Sequence, residues 1–177
     1  SIFTASTTVD TTTSALVSSF SLSTVGKSFI LSQVRYRPVR IYQNGAYQQG
    51  YNNTTLSFEY GLTAAESYTV FGRDIADATI YTKNFYPADT KCTQNQFDIL
   101  VSLYFFDKSL STLVGSSGTY DIQTAFITGT ASNFANILMD TSVNRQRHFK
   151  EAKIYALGEY GDVISTAWLR NEGIQYM

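Results

Sequence analysis

The chain has 177 residues, a formal net charge of −1 and only 15% charged residues, which suits one domain with a sizeable core and excludes a phosphate-neutralising coat, since that needs clustered Lys and Arg. Aromatics also make up 15%, with thirteen Tyr and twelve Phe against two Pro, a balance that favours strands over helices. One Cys and one His exclude an intrachain disulfide framework and a zinc site of the usual His/Cys type.

Residues 1–24 are more than half Ser and Thr. They read as an extended arm that docks on a neighbouring subunit, with Leu16–Leu22 joining a sheet. The start lacks a basic n-region and a continuous apolar h-region, so it is not a cleavable signal peptide. No apolar run reaches the roughly 20 residues of a membrane span. Gly26-Lys27-Ser28 resembles the end of a phosphate-binding loop, but Ser21 stands where that motif needs glycine.

A strand over 28–42 is interrupted at Pro38, which marks an edge or a bulge. Arg35, Arg37 and Arg40 with Tyr36 and Tyr42 read as a solvated strand edge rather than a nucleic-acid or glycan face. Asn44-Gly45 is a two-residue hairpin signal. After it, the polar loop bearing Tyr47 and Tyr51 suits a contact surface. Further strands are predicted over 54–60, 67–73 and 75–85. Strand alternation would put Asp74 and Asp77 on opposite faces, against an acid/base pair. Cys92 follows in a polar loop and reads as an unpaired thiol.

In Phe97–Phe106, the residues Phe97, Ile99, Val101, Leu103 and Phe105 alternate as a half-buried strand does. Thr119–Thr128 alternates likewise, and the pair forms a predicted hairpin across Gly115-Ser116-Ser117-Gly118. Residues 135–140 fit a strand or a short helical turn. Phe149, Ala152, Ile154 and Ala156 fit a strand, with a helix as the alternative. The last strand spans 162–170 and carries Trp168, an anchor in a core or an interface. A Ser-His-Asp triad would have to use His148, among Arg145, Arg147 and Lys150, and neighbouring cations disfavour the imidazolium such a base forms. No nucleophile elbow, dinucleotide fingerprint or calcium-loop pattern occurs.

Leu103–Phe134 resembles the allene oxide cyclase and dirigent-type barrels. Tyr104, Phe105, Asp107, Gly115, Thr119, Tyr120, Thr128, Gly129 and Phe134 match without a gap, over about a fifth of the chain. The resemblance implies an antiparallel barrel of about eight strands with an apolar cavity. Thr130–Asn133 depart from the family's glycine-rich turn. Gln43 and Asn44 stand where its catalytic glutamate would lie, so no catalytic residue carries over.

Together these readings predict an all-β fold, either an antiparallel barrel or a two-sheet sandwich of jelly-roll type, with about eight to ten strands. The arm, 1–24, precedes a β domain over 25–177. Low charge, Tyr-rich loops and missing catalytic parts point to a non-enzymatic structural or interaction subunit of a larger assembly, a virion coat or other extracellular particle. Its interaction surface would include Tyr47, Tyr51 and Trp168. No catalytic residue, cofactor or metal ligand is assigned, and the expected partners are further subunits, with neither nucleic acid nor a membrane span. The alternatives are a barrel that binds or cyclises a hydrophobic small molecule and a glycan-binding module using exposed Tyr and Trp168.

Overall fold

The computed structural model describes residues 9–34, 36–43, 46–51 and 62–161, with the backbone alone for 36–41, 43 and 46–49. Its elements run β1 (Ala15–Leu16), a 3-10 turn (Val17–Ser19), α1 (Thr24–Ser32), β2 (Tyr36–Gln43), β3 (Ala46–Tyr51) and α2 (Ala64–Phe85). Then come β4 (Lys91–Cys92), α3 (Gln94–Asp107), β5 (Thr112–Gly115), β6 (Gly118–Asp121), α4 (Ile122–Thr128), α5 (Ala131–Met139) and α6 (Arg145–Leu157). The strands pair only as three two-stranded ladders, β1–β4, β2–β3 and β5–β6. Neither a barrel nor a jelly-roll sandwich forms among the described residues, so the all-β expectation is overturned: this is a helix-rich α/β fold. The barrel that Leu103–Phe134 implied is replaced by the end of α3, the β5–β6 hairpin, α4 and the start of α5.

Local chemistry starts the helices. Thr63 and Glu66 form a reciprocal capping box on the 22-residue α2. The Thr63 hydroxyl accepts from the Glu66 N–H at 3.1 Å, and Glu66 Oε1 accepts from the Thr63 N–H at 2.9 Å. Two donors that a helix start would otherwise orphan are thereby satisfied. Tyr86, held extended before Pro87, ends the helix. Ser23, Asp121 and Thr130 cap α1, α4 and α5 by accepting from the third residue on. Lys108, at φ 54°, and Gly158, at φ 70°, close α3 and α6 in the left-handed region.

α3 is the axis of the body. Phe97, Ile99, Leu100, Val101, Leu103 and Phe105 are all buried to 1% exposure or less, and α1, α2 and α6 pack around them. A helix buried on all sides is apolar all round and shows no helical stripe. The odd-numbered residues therefore mimic a strand. Each such side chain contributes roughly 1.5–3 kcal/mol on burial.

The β2–β3 hairpin is paired Tyr42↔Tyr47 and Tyr36↔Tyr51, with a register shift between Arg37 and Ile41. It sits on α2 through Tyr51, whose ring lies 5.9 Å from Phe71, and Phe71 in turn meets Phe105 at 5.5 Å. The second half of the Ser/Thr-rich segment lies on its own chain. Ala15 and Leu16 pair with Cys92 and Lys91, and Phe20 stacks on Phe97 at 5.5 Å. No helix among the described residues is long and apolar enough to cross a membrane.

Candidate functional site

Acid–base chemistry needs accessible carboxylates, and their distribution here is uneven. Residues 11–58 contain no Asp or Glu, so α1 and the β2–β3 hairpin offer none. Glu59 lies outside the described residues. Asp10, ahead of β1, and Glu66 and Asp121, at helix starts, are engaged with nearby Thr residues. Asp140 accepts from Ser116 Oγ and the Tyr120 hydroxyl.

Asp98, buried in α3, accepts from the Ser23 N–H and hydroxyl, the Tyr160 hydroxyl and Gln94 Nε2. Burial pushes this carboxyl up, and those donors oppose the shift.

A second buried cluster joins α3 to α6. Arg147 meets Asp107 at 2.9 Å and Glu151 at 3.1 Å, while Ser102 Oγ donates to Glu151 at 2.5 Å. His148 Nδ1 lies 2.7 Å from Glu151, and its Nε2 lies 3.7 Å from Asp107. Burial pushes Glu151 up, but Arg147, His148 and Ser102 more than reverse this and hold it below the usual carboxylate range. With Glu151 fully enclosed, the cluster is a lock between helices and not a reacting centre. His148 thus faces two carboxylates, where the sequence surrounded it with cations alone.

Asp89 and Glu159 are exposed but stand alone in loops, whereas Asp74 and Asp77 lie one turn apart on α2. The strand reading had placed them on opposite faces; on a helix, positions i and i+3 are neighbours with Cβ atoms about 5–6 Å apart. Asp77 lines an open groove of about 590 Å³ with Ile80, Tyr81, Asn84, Phe85 and Tyr104. The Tyr81 and Tyr104 rings stack in parallel, 3.9 Å apart at 9°. Desolvation, then Tyr81 and Asp77, pushes the Tyr104 hydroxyl up. Beyond Tyr104, the Lys108 ammonium lies 5.2 Å from the Phe105 ring centre. Burial pulls it down and Asp74 opposes that. A flat aromatic pair beside a carboxylate and an amide suits a polar, extended ligand with apolar faces, such as a sugar chain.

The residues singled out from sequence do not converge here. Tyr51 is fully buried and serves the core, not a contact surface. Tyr47 pairs with Tyr42 in the hairpin backbone, and Trp168 lies outside the described residues. Cys92 is buried, and desolvation with Asp98 nearby pushes its thiol up to about 12, so it is inert. A strand over 75–85 keeps Asp77 and Tyr81 on one face; the pair that it separates is Asp74 and Asp77. The signal that unites Asp74 with Asp77 is the Thr63-x-x-Glu66 start signature, which puts both on one helix, one turn apart. Among the described residues no three His, Cys, Asp or Glu side chains are grouped as metal ligands would be.

No family model and no curated protein matches the chain. Among solved structures it is similar to an endolysin from Escherichia coli O157:H7 phage FAHEc1, with 19% identity and a TM-score of 0.57. The match covers 81% of this chain and 98% of that one. At this identity the likeness establishes the fold alone. It overturns the expectation of a non-enzymatic structural subunit, which rested on low charge, Tyr-rich loops, the Ser/Thr-rich arm and missing catalytic parts: the chain is folded as a phage endolysin is.

Proposed function

We propose that the chain is a cell-wall lytic enzyme that cleaves wall polysaccharide. The observation that carries this reading is the fold likeness to nearly the full length of a phage endolysin. Glycoside hydrolysis ordinarily uses two carboxyl groups about 5–9.5 Å apart. The acid-free stretch 11–58 moves that requirement onto the helical body, where Asp74 and Asp77 supply the pair.

Tyr81 and Tyr104 form the platform on which a sugar ring rests. Asp77, in the groove, donates a proton to the leaving glycosidic oxygen. Asp74, whose negative charge lies near the Lys108 ammonium, takes the proton of the water whose hydroxyl adds to the anomeric carbon. The C–O bond breaks, the proton goes to the leaving sugar, and one water is consumed.

The test is the turbidity of purified sacculi, with chromatography of the released fragments. Soluble glycan fragments released by the full chain, and lost at least about 100-fold in Asp77→Asn, support the reading. Sacculi left intact by the native chain overturn it. Lysis that survives in the Asp74→Asn/Asp77→Asn double variant overturns the residue assignment.

A further inference from the structure

The α6 helix turns an unusual face outward. At about 100° per residue, Arg145, Gln146, Phe149, Lys150, Lys153 and Leu157 fall within an arc of about 140°, and all are exposed. The opposite arc holds the buried residues, including Arg147, His148 and Glu151. The outer arc therefore carries three cations and no acid. It also carries large apolar side chains, with Phe149 exposed to 53% and Leu157 to 62%. Val143, at 57%, and Met139, at 41%, extend the apolar area beyond the start of the helix. Between α5 and α6 an open depression of about 340 Å³ is lined by Met139, Arg145, Gln146, Phe149 and Lys150.

We infer that this outer face of α6 binds an anionic lipid bilayer. Contiguous exposed apolar side chains mark a surface that something covers, and flanking cations choose what does. A second copy of the same face would bring three positive charges against three. A polyanionic wall polymer would satisfy the cations but has no apolar phase for Phe149 and Leu157. An anionic bilayer satisfies both, with aromatic and aliphatic side chains at the acyl boundary and Lys and Arg at the headgroups. Asp140, the carboxylate beside Arg145, is held by Tyr120 and Ser116, and among the described residues no acid shares the arc with Lys150 and Lys153.

The experiment is co-sedimentation of the full chain with phosphatidylcholine vesicles, with and without roughly a quarter phosphatidylglycerol. Partitioning at least about tenfold stronger onto the anionic vesicles, weakening as salt rises, is expected. Lys150→Glu/Lys153→Glu and Phe149→Ser/Leu157→Ser should each remove most of it. Circular dichroism should be unchanged in both, since these side chains are exposed. Equal binding to both vesicle types, or binding that both variants retain, overturns the proposal. So does dimerisation of the lipid-free chain that Phe149→Ser/Leu157→Ser abolishes. Release of fragments from isolated sacculi should be untouched by these variants, which separates this result from the wall-lytic reading.

Discussion

The guanidinium of Arg147 joins the carboxylates of Asp107, at 2.9 Å, and Glu151, at 3.1 Å, so one side chain fastens the end of α3 to the first turns of α6. It also lies 4.3 Å from the Phe106 ring centre. Removing it strands Glu151, which has no access to water, opposite only His148 and Ser102. Arg147→Met is expected to cost about 3–5 kcal/mol in urea unfolding. The double variant Arg147→Met/Glu151→Leu should recover part of that, because no buried charge is then left unpaired.

The same cluster predicts a pH dependence. Glu151 is held below the ordinary glutamate value, so the folded state favours its ionised form more than the unfolded chain does. Its contribution is complete above the ordinary glutamate value and is lost as pH falls through the lowered one. Thermal unfolding followed from neutral to acid pH should show this loss. Glu151→Gln should flatten the acid limb while lowering the neutral plateau.

Two glycines in helices should respond oppositely to alanine. A Cβ on Gly26 would stand 2.5 Å from Asp98 Cγ, and that carboxylate is pinned by Ser23, Gln94 and Tyr160. Gly26→Ala should therefore cost about 1–3 kcal/mol through overpacking. Gly72, on α2, has nothing within 4 Å of the added carbon. There alanine should gain up to about 1 kcal/mol from helix propensity. Paired denaturation curves would check both signs.

Cys92, 2% exposed with its thiol at about 12, should resist an aromatic disulfide reagent in the native protein at mildly alkaline pH. The thiolate is the reacting species, and the fold suppresses it. Stoichiometric labelling should appear only on addition of denaturant; fast labelling of the folded chain would contradict the packing of β4 described above.

Element boundaries were more legible than element type. Gly115–Gly118 is a turn as the sequence predicts, but the strands it joins are the short β5 and β6, while the predicted partners 97–106 and 119–128 are α3 and, beyond Asp121, α4. The Asn44-Gly45 hairpin signal is likewise followed by paired strands on either side. Helices were obscured for two physical reasons. Over 97–103 α3 is buried on every face, so Phe97, Ile99 and Val101 alternate with residues that are also buried. α6 is inverted, with Arg147, His148 and Glu151 inside and Phe149 and Leu157 outside, which erases the apolar stripe that reveals a helix. The Thr63-x-x-Glu66 signature was the local cue pointing the other way. Tyr and Phe outweighed it because their strand preference measures packing on a half-buried surface, and here they pack between helices instead. With α2 read as strands, Asp74 and Asp77 fell on opposite faces and could not be read as a pair.

Asp98 has a mechanical consequence. It is gripped by Ser23, at the entry to α1, and by Tyr160, just beyond α6, so segments far apart along the chain close on one carboxylate like the two ends of a clasp. A protease that nicks beyond α6, or a force that peels away the lead into α1, opens the clasp for both. Fraying at one end of the body should therefore propagate to the other, and amide exchange around Ser23 and Tyr160 should rise together.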